Sequence, residues 1–83
     1  MPKVFEVYGY KFFFFSNEGS PLEPCHIHVR KNGNLAKFWI KENAELADNI
    51  GFSSTELKNI QEILNEKKLL VEEAWNEFFK RKC

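Results

Sequence analysis

The sequence is short of almost everything that announces a function. It holds only two histidines, His26 and His28, and only two cysteines, Cys25 and Cys83. A catalytic zinc usually takes three protein ligands, so two histidines do not complete a metal site, and no metal or other cofactor is expected. Neither charge is in excess, twelve Lys/Arg standing against twelve Asp/Glu, so no global basic field advertises nucleic acid. Long apolar runs are missing as well. The opening "MPKVFEVYGYKFFFF" is interrupted by Glu6 and Lys11, which predicts neither a signal peptide nor a membrane span. Two cysteines are not the framework of a secreted disulfide scaffold. A reducing, cytoplasmic setting is the expectation, with Cys83 a free thiol at a fraying end. No internal repeat or low-complexity tract occurs.

What the chain does have is aromatic mass: nine Phe, two Trp and two Tyr among 83 residues. A chain this short buries about 60–65% of the surface its unfolded form exposes, so it needs residues that bury much area each. One domain over residues 1–83 is expected. Charge is uneven along it: residues 1–41 carry six Lys/Arg against three Asp/Glu, residues 42–83 six against nine.

The first half reads as strands. "KVFEVYGY" alternates and turns near Gly9 into "YKFFFF", a tight hairpin. "SNEGSPLEPC" (16–25) concentrates Ser, Asn, Gly and Pro into a loop. "HIHVR" and "LAKFWI" flank "KNGN", the strongest short-range hairpin signal in the chain. "ELADNIG" fits either a fifth extended segment or irregular chain. From Ser53 the period changes. "SSTE" is a capping box with Ser53 at the N-cap and Glu56 at N3, and Phe52 and Leu57 occupy the positions of a hydrophobic staple. Leu57, Ile60, Ile63 and Leu64 form one helical stripe; Val71, Ala74, Trp75 and Phe78 form another. Neither Gly nor Pro follows Gly51, so one long helix is conceivable. Burying both stripes on a small sheet favours a break around Asn65 to Lys68.

The expected architecture is therefore a two-layer α+β domain: a mainly antiparallel sheet of about four strands followed by two C-terminal helices. Alternation sends Ile27, Val29, Ala36, Phe38 and Ile40 toward the helices. His26, His28, Arg30, Lys37, Trp39 and Lys41 go to the opposite face, the histidines as surface side chains. The run Phe12–Phe15 puts two rings on each face. Phe13 and Phe15 then lie either under the 16–25 loop or beneath another chain, because exposed apolar patches often mark interfaces.

His26 and His28 are the candidate acid/base pair, since imidazole titrates nearest neutrality and i, i+2 residues share a strand face. Arg30 continues that face with a fork suited to phosphate. Two proton-transfer groups and a guanidinium are a workable minimum for cleaving RNA through its 2′-hydroxyl. The bland reading, an ordinary strand face, competes with it. Trp39 between Lys37 and Lys41 could stack a base and hold phosphates. "HIHVR" also echoes the histidine-triad nucleotide hydrolases, but Arg30 stands where the third histidine belongs, which removes that reading.

"EPCHIHV", "AKFWI", "ELADNIGFSSTELKNI" and "LLVEEAWNEFF" together resemble a family of small bacterial proteins known only as a domain of unknown function, with a His-x-His strand and a terminal Trp-x-x-Phe helix. In that family Cys25 stands where proline is common, which argues against a metal-ligand thiolate. The resemblance implies a neighbouring gene for a second small domain, in a toxin–antitoxin-like pair. Two functions follow as expectations: a partner-binding component that meets a second small protein, or another copy of itself, through Lys37, Trp39, Lys41, Phe13 and Phe15; or a metal-independent ribonuclease acting through His26, His28 and Arg30.

Overall fold

A computed structural model describes residues 3–15 and 23–83. Five antiparallel strands form one sheet in sequence order: β1 (Lys3–Val7), β2 (Tyr10–Phe13), β3 (His26–Lys31), β4 (Asn34–Ile40) and β5 (Ala44–Ile50). Helices α1 (Ser54–Glu66) and α2 (Lys68–Phe79) follow. The sheet thus has one strand more than four, "ELADNIG" being extended chain.

Two hairpins set the register. Tyr8–Gly9 and Asn32–Gly33 each hold both central residues at positive φ (52° and 81°, 53° and 81°), the turn whose twist suits two-residue hairpins. Tight registers follow, Val7 opposite Tyr10 and Lys31 opposite Asn34. In β5 the pairing shifts between Lys37 and Phe38, so Ala47 is an extra residue and the inside–outside alternation breaks there. At the start of β5, α1 side chains occupy the backbone: Asn65 Oδ1 accepts from the Ala44 N–H at 2.8 Å and Gln61 Nε2 donates to the Ala44 carbonyl at 2.7 Å. These bonds close part of an edge that would otherwise invite another strand.

The inner face carries the core. Phe12, Ile27, Val29, Ala36 and Phe38 lie under Ile60 and Leu64 of α1 and Val71 and Trp75 of α2, all nearly inaccessible. The cap of α1 is a full capping box: Ser53 Oγ accepts from the Glu56 N–H, and Glu56 Oε1 accepts from the Ser53 N–H. The helices break at Lys67, whose N–H still donates to the Ile63 carbonyl at 3.0 Å. A bend there lets both stripes reach the sheet without Gly or Pro.

The cysteines depart from expectation. Cys83 is not a free thiol: it is joined to Cys25 by a disulfide across 58 positions. Cys25 packs in the core cluster at the start of β3, while Cys83 is exposed. Helix α2 ends at Lys80 in the left-handed conformation, and the chain then turns toward β3. Arg81 Nη2 donates to the Glu23 carbonyl, and its guanidinium sits 5.5 Å from the Trp75 ring centre.

Candidate functional site

The outer sheet face gathers the residues that the alternation singles out. Strand β3 is central, with Phe13 and Lys37 opposite His28, Trp39 opposite His26, and Lys11 and Leu35 opposite Arg30. The imidazoles of His26 and His28 meet edge to face, centres 5.4 Å apart. Phe13 stacks on His28 at 5.7 Å and Phe15 abuts it at 4.5 Å. The Arg30 guanidinium lies 5.4 Å from the Phe13 ring centre.

The histidines share a face, yet they are not surface side chains. His26 is wholly enclosed and His28 only 7% exposed. The expectation fails because this end of β3 is packed from both sides. Trp39 contacts His26 at 5.6 Å from the outer face, and Trp75 reaches it at 5.2 Å from α2. The Pro24 carbonyl lies 2.9 Å from His26 Nδ1 and can only accept, so that nitrogen carries the proton. Phe13 is also more covered than expected: it is buried like Phe12 and Phe14, and only Phe15 is partly open. Strand β2 ends at Phe13, and Phe14 turns to α2, meeting Trp75 and Phe79, each at 5.6 Å. Cover of Phe13 or Phe15 by residues 16–22 lies outside the described residues.

Lys37 and Lys41 are engaged within the chain. Lys37 Nζ donates to Glu23 Oε1 at 3.0 Å and stands 4.5 Å from the Trp39 ring centre. Lys41 pairs with Glu45 at 3.4 Å. The hydrogen bond from Lys37 holds the Glu23 carboxyl below the usual carboxylate range against the opposing effect of desolvation, and the charge of Lys37 adds to the lowering. Glu23 Oε1 is also 3.6 Å from His26 Nδ1. Sequence reasoning did not place Lys11 in the site. Its signal was available: Tyr10 and Phe12 point inward, so Lys11 points outward beside Arg30. Both are exposed, and among the described residues neither makes an ion pair.

The match to a family model runs over residues 9–76, described as "Domain of unknown function (DUF4160)". The chain belongs to the DUF4160 family. The matched span holds the whole outer-face cluster from Lys11 to Lys41 together with Trp75, whereas the Arg81–Cys83 tail lies beyond it. No curated protein and no solved structure matches the chain. This DUF4160 chain has, among its described residues, no group of three His, Cys, Asp or Glu side chains placed to hold a metal ion. Among those residues no helix is long and apolar enough to cross a membrane.

A second concavity of about 630 Å³ lies between the β1–β2 hairpin and α1, lined by Tyr8, Tyr10, Lys31, Glu62, Ile63 and Glu66 among others. Lys31 accounts for much of its polarity, standing 4.4 Å from the Tyr10 ring centre and donating to the Tyr8 carbonyl at 3.0 Å. Those contacts brace the hairpin rather than await a ligand.

Proposed function

We propose that this DUF4160 chain is the partner-binding component of a two-gene, toxin–antitoxin-like module, engaging a second small protein through the Lys11, Arg30, Phe15 and Trp39 region of its outer sheet face. One contrast supports the reading: on this face the imidazoles are enclosed while two cations stand open. Lys11 and Arg30 are direct cross-strand partners, and like charges so placed destabilise a sheet. A carboxylate from a partner would turn that repulsion into charge-assisted hydrogen bonding. Arg, Trp and Phe beside a cationic rim are the residue types enriched where proteins meet. The partner that fits is an acidic segment with an apolar side chain for the open edge of Phe15. Lys37 and Lys41, already held by Glu23 and Glu45, contribute less.

Metal-independent RNA cleavage is the second reading. Two imidazoles 5.4 Å apart beside Arg30 favour it. Enclosure counts against it, because a general acid or base must come within about 3 Å of the proton it transfers. Expression of the chain alone separates the readings. Partner binding predicts normal growth and intact cellular RNA. Growth arrest with RNA loss, abolished by His28→Gln at equal soluble expression, would replace this reading with the ribonuclease.

A further inference from the structure

We infer that the Cys25–Cys83 disulfide is a redox-operated strap that closes the His26 end of the outer face. The observations converge on one short segment. Past the helix, residues 80–83 are held to α2 by the Arg81 guanidinium on Trp75, the Cys83 N–H donating to Asn76 Oδ1 and the Lys80–Glu77 pair. Among the described residues they are tied across to the start of β3 by the disulfide to Cys25 and the Arg81 hydrogen bond to the Glu23 carbonyl. Trp75 is fully enclosed, and its ring is the helix-side neighbour of His26. The strap therefore fastens both the helix that covers His26 and the Glu23–Pro24 segment that bonds it. Among the described residues, neither Trp75 Nε1 nor Arg81 Nε, both buried, has a hydrogen-bond partner. Buried polar atoms without partners gain hydration on opening, which makes this end of the molecule the less costly one to open.

The disulfide is suited to being cut. Cys83 is exposed and Cys25 is buried, so an incoming thiolate can reach the Cys83 sulfur. A cellular dithiol supplies the two electrons. Its first thiolate attacks Cys83 Sγ, forming a mixed disulfide and expelling the Cys25 thiolate, which takes up a proton. The second thiol of the dithiol then attacks its own partner sulfur in that mixed disulfide. Cys83 leaves as a thiol and the dithiol as its cyclic disulfide. With the covalent tie gone, the Arg81 hydrogen bond is what still joins the tail to Glu23 among the described residues, the Cys83–Asn76 bond reaching only α2, and loop closure works against it. The strap is independent of what the outer face binds, because its test reads exposure.

The test uses the Trp39→Phe protein, in which Trp75 is the sole tryptophan, oxidised and then reduced with dithiothreitol. Reduction should raise acrylamide quenching of Trp75 by roughly threefold or more, and speed amide exchange at residues 80–82 by roughly tenfold or more. Protection in β4 should persist. Adding Cys83→Ser should reproduce the reduced behaviour without reductant. Quenching and exchange that ignore reduction would overturn the strap. So would a fall of β4 protection to the level of the tail, since reduction would then unfold the whole chain instead of releasing one end of it. Two titratable thiols in protein never exposed to reductant would overturn it as well.

Discussion

Replacing His26 by alanine separates an enclosed imidazole from a surface one by a large margin. A surface histidine on a strand would cost about 0.5 kcal/mol or less. The structure encloses the ring completely, between Trp39 at 5.6 Å, Trp75 at 5.2 Å and His28 at 5.4 Å. Truncating a buried aromatic to alanine costs about 3–5 kcal/mol, and the smaller imidazole belongs near the lower end of that range. The Nδ1 hydrogen bond to the Pro24 carbonyl adds about 1 kcal/mol, partly recovered because Pro24 is exposed and water can replace the donor. His26→Ala should therefore destabilise by about 2–4 kcal/mol. At about 4–8 °C per kcal/mol for a domain of this size, the midpoint falls by roughly 8–32 °C. Urea titration under oxidising conditions measures it, with an unchanged m-value showing that the denatured state is not responsible. His26→Phe keeps a ring and removes the donor, so it should recover part of the loss. A cost at or below about 0.5 kcal/mol for His26→Ala would refute the enclosed site.

Three further outcomes follow from named contacts. Lys37→Met should raise the Glu23 carboxyl midpoint toward the ordinary value, read by carbon chemical shift against pH, because the Lys37 hydrogen bond is the main cause of its lowering. In the intact protein, Glu23 favours folding above its unfolded pKa of about 4.3, and the contribution fades as pH falls through the lower folded value; an undepressed midpoint would contradict the pair. Gly51→Ala should cost about 1–3 kcal/mol, since φ there is 100° and a Cβ would collide with the Asn34 side-chain amide; a neutral result would contradict the β5–α1 turn. Cys83→Ser should cost about 4 kcal/mol of global stability by loop-closure entropy, and little or no change against oxidised wild type would contradict the disulfide.

Local signals made most of the fold legible. "NG" announced the β3–β4 turn, the alternation of "HIHVR" and "LAKFWI" assigned their faces, and "SSTE" marked the start of α1. β5 stayed ambiguous because Ala47 is a bulge residue, and an extra residue erases the period of two that identifies a strand. The candidate site was legible in membership but not in exposure. Period two places His26 and His28 on one face, but cannot say that Trp75, nearly fifty positions away, comes round the end of β3. The disulfide has the same origin: two cysteines 58 positions apart pair only because the tail after α2 turns back to Cys25. Lys11 was overlooked because its meaning depends on which residue of β3 faces it.

The outer face encloses its histidines and leaves Lys11 and Arg30 exposed, and on the proposed reading those two cations engage an acidic partner. Calorimetric titration of the chain with the small protein encoded by the proposed neighbouring gene tests this most directly, comparing wild type with Lys11→Glu/Arg30→Glu. Both residues are exposed, so the double variant should melt close to wild type. Its affinity should fall by about a hundredfold or more, and wild-type binding should weaken as salt rises. Binding that is indifferent both to the charge reversal and to salt would contradict the account.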